Sequence, residues 1–145
     1  LDHLQDPGNL GTIMRAAEAA GVTGILMSSD CVDIYNPKTI RSTMGALYRV
    51  PFVVSEDFAG DIERLKKAGV STYAAHLGAT ISYEGADYKK PCAFMIGNEA
   101  NGLSDEVAAL ADCKILIPMA GQVESLNAAM AATVLMFEAA RQRRN

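Results

Sequence analysis

The chain has 145 residues, half of them hydrophobic, enough for one sizeable core, and it is read as a single domain over residues 1–145. A charged fraction of 21% without low-complexity tracts excludes a disordered or fibrous protein. No apolar run reaches the roughly 18 residues of a membrane span and no signal-like N-terminus is present, so a cytoplasmic protein is expected. The net charge of −4 excludes coating of nucleic acid by long-range attraction; any such contact must be local.

Residues LDHLQ (1–5) read as the tail of a strand, and with no initial methionine the sequence is expected to be a piece of a longer protein. The turn cluster DPGN follows. In LGTIMRAAEAAG, Leu10, Ile13, Met14 and Ala17 fall on one helix face, with Asn9 placed as a cap and Gly21 as the stop. GILMSS (24–29) has strand length. Asn36-Pro37 caps a second helix expected from about Pro37 to Leu47.

VPFVV reads as a strand, and Asp61 opens a helix that stops at Gly69. STYAAHL, CAFMIG and KILIPM are three more strand-length runs, and GATISYEGADYKKP reads as a connecting loop. SDEVAALAD is a helix capped by Ser104, and a long Ala-rich helix runs from Leu126 to about Arg143. Arg141, Arg143 and Arg144 read as dipole-compensating, solubilising residues at its end. Cys31, Cys92 and Cys113 lack metal-ligand spacing and read as reduced core thiols; no metal is expected.

Alternating strands and helices imply an α/β fold, a mostly parallel sheet covered by helices on both faces. Ligands in such sheets sit beyond the C-terminal strand ends. That places DPGNLG, GNEANGLS and IPMAGQVESLN at one edge of the molecule.

These three segments resemble, in chain order, the three signature motifs of the SpoU (TrmH) family of RNA ribose 2′-O-methyltransferases: DPGNLGTIMRAAEAAG, FMIGNEANGLSDEV and ILIPMAGQVESLNAAMAATVLMFEAARQR. DIYNPKTIRSTMGALYRVPF resembles the intervening region, so the likeness covers essentially the whole chain. The resemblance implies a C-terminal trefoil knot, S-adenosylmethionine as methyl donor with S-adenosylhomocysteine as product, a homodimer, and rRNA or tRNA as substrate, with an rRNA guanosine favoured. It further implies an N-terminal substrate-binding domain, which these 145 residues lack.

By the same resemblance, Arg15, Asn9, Glu99, Ser125 and Asn127 are the catalytic candidates, while Gly97, Ile117, Met119, Gly121 and Leu126 meet the cofactor through backbone groups. Methyl transfer from a sulfonium needs aligned reactants and a route for the hydroxyl proton, and no covalent enzyme intermediate. Guanidinium has a pKa above about 12, so Arg15 suits positioning of RNA better than proton abstraction. Glu99 is a candidate to orient Arg15 or a ribose hydroxyl. Ser125 and Asn127 equally suit capping of the last helix. Lys38 and Arg41, three apart on one helix face, are candidates for RNA phosphate; a solvated face explains them as well.

Two rival readings keep the fold and change the function: a non-catalytic S-adenosylmethionine- or RNA-binding module, and a knotted methyltransferase acting on an RNA base. GNEANGLS also superficially resembles a phosphate loop, but Leu103 stands where that motif requires lysine.

Overall fold

The computed structural model describes residues 1–144. In chain order the elements are α1 (Pro7–Ala20), β1 (Ile25–Ser28), α2 (Pro37–Thr43), β2 (Phe52–Ser55), α3 (Phe58–Lys67), β3 (Ser71–Ala75), β4 (Ile81–Ser82), β5 (Cys92–Met95), α4 (Asp105–Ala109), β6 (Cys113–Leu116) and α5 (Ala128–Arg144). Every strand pair is parallel, in two groups: β1 with β2, and β4-β6-β3-β5. The chain's first residues join the groups. Leu1 O accepts from Ser28 N and Asp2 N donates to Ile96 O, both at 2.9 Å.

Side chains alternate across this layer and seed two cores, because successive residues of a strand point to opposite faces. On one face Tyr73 and Ile96 pack with α1 and α5 residues such as Leu10, Met14 and Leu135. On the other, Ala74 and Met95 pack with Ile62 of α3 and Ala108 of α4. The expected mostly parallel sheet with helices on both faces is therefore present. No helix among the described residues is long and apolar enough to cross a membrane.

Several boundaries differ from the sequence reading, each for a local reason. Helix α1 starts at Pro7 because Asp6, not Asn9, is its cap; the Asp6 Oδ1 accepts from Asn9 N at 2.7 Å. Helix α2 ends at Thr43, short of Leu47, since Met44 and Gly45 adopt φ of 50° and 85° before a 3-10 turn over Ala46–Tyr48. Helix α3 begins at Phe58, capped by Asp57, three residues ahead of Asp61. The stretch read as a connecting loop contains β4, a two-residue strand on the edge of β6. Arg143 does not simply solvate the end of α5: it donates to Tyr88 O at 2.9 Å and Lys90 O at 3.1 Å, bracing the approach to β5. The three cysteines are free and partly buried.

The crossing of α1 and α2 depends on Gly11. A Cβ there would lie 2.3 Å from Ser42 Cβ and 2.7 Å from the Thr39 carbonyl, so the helices touch through a missing side chain.

Candidate functional site

The turn before α1, the loop after β5 and the start of α5 converge at the C-terminal end of the sheet. Between β5 and α4 the chain folds back on itself: Asn98 and Gly102 exchange two backbone hydrogen bonds of 2.9 Å, and the Asn98 side chain accepts from the N–H groups of Ala100 and Asn101. Gly97 is obligatory for this fold-back, because a Cβ would sit 2.1 Å from the backbone of Gly102 and Leu103. Its close approach is thus to its own loop.

The loop is fastened to the N-terminal segment. Asn98 Nδ2 donates to His3 O at 2.9 Å, and the buried Asp2 carboxylate accepts from Ser104 N and Oγ at 3.1 and 3.0 Å. At the tip, Glu99 Oε1 accepts from Asp6 N at 2.9 Å and Asn9 Nδ2 at 3.1 Å, while Oε2 accepts from Gln5 N at 3.1 Å. Burial pushes the Glu99 carboxyl up, but the donors from Asp6, Asn9 and Gln5 outweigh it and hold the group below the ordinary carboxylate range.

Asn9 completes the junction. Its Oδ1 accepts from Asn127 Nδ2 at 3.0 Å, and Asn127 Oδ1 in turn caps α5 by accepting from Ala129 N at 2.8 Å and Met130 N at 3.3 Å. Helix α5 thus begins at Ala128, two residues after the expected start, with Asn127 and not Ser125 as cap. Asn9, Glu99 and Asn127 are brought together in one hydrogen-bonded line.

Leading into Asn127 is a segment of irregular backbone. Ile117 and Met119 are partly buried, whereas Gly121, Ser125 and Leu126 are exposed. Among the described residues, no protein group hydrogen-bonds to the backbone of 118–126. The run therefore offers main-chain donors and acceptors beside apolar side chains, a surface suited to the edge of a flat heteroaromatic ring.

Arg15 stands apart from this junction. It is exposed on α1, six residues and about 9 Å of rise beyond Asn9. It makes no hydrogen bond or ion pair among the described residues, and Glu99 does not orient it, since the Glu99 oxygens serve backbone and asparagine donors. Lys38 is exposed, with its Nζ 3.9 Å from Asp6, and Arg41 is exposed on the same helix.

Sequence reasoning missed Asp2, Gln5 and Asn98. Asn98 had a signal, an asparagine between glycines in a turn-rich loop. Asp2 and Gln5 had none, because their partners lie 102 and 94 positions away.

The model of the SpoU rRNA Methylase family matches residues 1–137. An uncharacterized tRNA/rRNA methyltransferase of Synechocystis is 41% identical over 98% of this chain and 52% of its own length. A 23S rRNA guanosine 2′-O-methyltransferase of Bacillus subtilis is 35% identical over 94% of this chain and 55% of its own. The chain spans about half the length of these relatives. Among solved structures, the SpoU methyltransferase AviRb of Streptomyces viridochromogenes superposes with a TM-score of 0.90 at 36% identity, over 99% of this chain and 58% of that one. An AdoMet-bound rRNA methyltransferase of Sinorhizobium meliloti gives 0.89 at 40% identity, over 97% of this chain and 54% of that one.

Proposed function

The chain belongs to the SpoU rRNA Methylase family, and from that premise we propose that it is the catalytic unit of an S-adenosylmethionine-dependent RNA methyltransferase acting on a ribose 2′-hydroxyl. Its fold is the family's, a mostly parallel α/β layer with a C-terminal trefoil knot. The observation that carries the functional reading is the Glu99–Asn9–Asn127 line, which ties all three signature segments to one point.

S-adenosylmethionine supplies a methyl group already activated by its sulfonium, so the protein's work is binding and alignment. The unpaired backbone of 118–126, with Ile117 and Met119 beneath it and Gly121 and Leu126 along it, fits an adenine edge without any charged side chain. Gly97 serves that pocket by permitting the fold-back that places Glu99. Glu99 is a positioning residue: its three N–H donors occupy both oxygens and lower its affinity for a proton, which disfavours a role as general base. Asn127 fixes the start of α5 and, through Asn9, its distance from α1.

Arg15 is assigned to the RNA. An exposed guanidinium free of protein partners among the described residues is available to bind a phosphate bidentately and to steady the ribose hydroxyl as its proton leaves. Lys38 and Arg41, exposed on α2, are assigned to RNA phosphate as well. Ribosomal RNA, with guanosine first, is the substrate to test, supported by the guanosine specificity in the names of the Bacillus and Xanthomonas relatives; the Streptomyces relative is named for uridine.

A cytoplasmic homodimer belongs to the same proposal, supported by Met130 and Phe137, which stand 50% and 40% exposed on α5. Substrate selection is left to the whole protein, since the relatives are about twice as long. Calorimetric titration with S-adenosylmethionine and S-adenosylhomocysteine tests the site: micromolar binding that weakens in an Asn127→Ala variant is expected, and absence of binding to the folded protein overturns the reading.

A further inference from the structure

His3 holds a backbone conformation that residues other than glycine rarely take, with φ at 53°. Such a kink persists only where its surroundings fix it, and this one is held at three points. The His3 N–H donates to the buried Ser28 Oγ at 2.9 Å, the His3 carbonyl accepts from Asn98 Nδ2 at 2.9 Å, and the ring Nδ1 lies 2.6 Å from Asp30 Oδ2.

Three parts of the site meet at this kink. At the end of β1, Asp30 Oδ1 accepts from Ser28 Oγ, so the hydroxyl that takes the His3 N–H also orients the carboxylate facing the ring. Ahead of the kink, Gln5 Nε2 donates to Asp30 O at 2.6 Å, while Gln5 N and Asp6 N bond Glu99. In the loop after β5, the Asn98 side chain holds His3 O together with the N–H groups of Ala100 and Asn101. One residue therefore registers both the donors to Glu99 and the loop that carries it.

A carboxylate only accepts, so Nδ1 carries the proton that faces Asp30 and Nε2 is the nitrogen that titrates. Ring and carboxylate are each about half exposed, on the rim of an open recess of about 270 Å³ shared with Asp2, Asn98, Asn101 and Ser104. The charged groups that act on the ring are acids: Asp30 from the turn after β1, Asp2 from its own segment and Glu99 from the loop after β5. The hydrogen bond to Asp30 first, then the Asp30 charge, raise the His3 pKa above its ordinary 6.5 against burial, and Asp2 and Glu99 add to the rise. Hydrogen bonds from Ser28 and then His3 hold the Asp30 carboxyl below its ordinary value.

We propose that His3 and Asp30 are positioning residues for the methyl transfer proposed above: their contact locks the kink, and with it the Gln5 and Asp6 donors against Glu99, most firmly while the ring is charged. The ionic part of the lock is complete below the ordinary histidine value and fades as pH rises through the folded pKa. Its effect on turnover rests on the proposed reaction; the lock itself does not.

Nuclear magnetic resonance of the whole protein tests the lock without turnover. The His3 ring should titrate above 6.5, and in Asp30→Asn it should fall back toward that value. Exchange of the Gln5 and Asp6 amides, corrected for its intrinsic pH dependence, should quicken by about two- to fivefold as the ring loses its charge. In His3→Asn, which places a residue tolerant of the left-handed region but without a titrating ring, corrected exchange should stay constant with pH. The ratio of kcat between the unaltered protein and His3→Asn should be about two- to fivefold at pH 6 and shrink by pH 8.5; the pH dependence of the chemical step itself cancels in this ratio. If His3→Asn does not fold, Asp30→Asn supplies the same comparison. Exchange at Gln5 and Asp6 that ignores the His3 charge overturns the lock, and a kcat ratio constant with pH overturns its part in positioning. If neither protein methylates RNA, the proposed reaction falls, and exchange still decides the lock.

Discussion

Asn9 and Glu99, ninety positions apart, are joined by a 3.1 Å hydrogen bond from Nδ2 to Oε1. Because Asn9 also accepts from Asn127, this one amide registers the first, second and third signature segments against each other. In Glu99→Gln, an amide donor would face the N–H groups of Gln5, Asp6 or Asn9. Losing charge-assisted bonds of this kind costs about 1.5–3 kcal/mol, or a Tm drop of roughly 3–10 °C for a domain of this size. Methyl-transfer turnover should fall by about 10- to 100-fold, measured alongside circular dichroism to show that the fold persists.

The same carboxylate makes stability pH-dependent with a definite sign. Its folded-state pKa lies below the ordinary 4.5, so its contribution is complete above that value and is lost as pH falls through the folded pKa. Glu138, held at about 2 by hydrogen bonds from Arg141 against burial, with Gln142 adding, behaves likewise at the end of α5. Urea unfolding at pH 7 and at pH 3 should show the gap between the chain and Glu99→Gln narrowing in acid. A gap that widens would contradict the assigned direction.

Gly11 offers a test of the helix crossing. Gly11→Val places carbon atoms where Ser42 Cβ and the Thr39 carbonyl already stand. Overpacking of this sort costs about 1–3 kcal/mol, and since backbone is one of the clashing partners, adding Ser42→Gly should recover only part of it. Differential scanning calorimetry of the single and double variants reads both numbers.

Much of this was legible in the sequence. The stripe Leu10, Ile13, Met14 and Ala17 is buried as its spacing requires, and the three loops meet where strand order sends them. The choice between Asp6 and Asn9 as cap was not, because both residue types cap helices; Glu99 decides it by engaging the Asn9 side chain from ninety positions away. Nor did any local signal separate Glu99 from Arg15. Both sit in signature motifs, but a carboxylate's partners are set by the tertiary fold, and here they are N–H groups. β4, at two residues, is too short to carry a period.

Arg15 separates chemistry from stability. It is exposed and without protein partners among the described residues, so Arg15→Ala and Arg15→Lys should leave stability within about 0.5 kcal/mol. Turnover at saturating RNA should nevertheless drop at least about tenfold in both, since lysine lacks the planar fork. Near-full activity of Arg15→Lys would remove Arg15 from the mechanism.

The proposed methyl transfer is read out by incubating the whole protein with methyl-labelled S-adenosylmethionine and unmodified ribosomal RNA, then digesting the RNA to nucleosides for mass analysis. One new labelled nucleoside is expected, carrying its methyl on the ribose 2′-oxygen and absent with the Arg15→Ala variant. A methyl found on the base, or RNA left unlabelled by a protein that binds the cofactor, would contradict it.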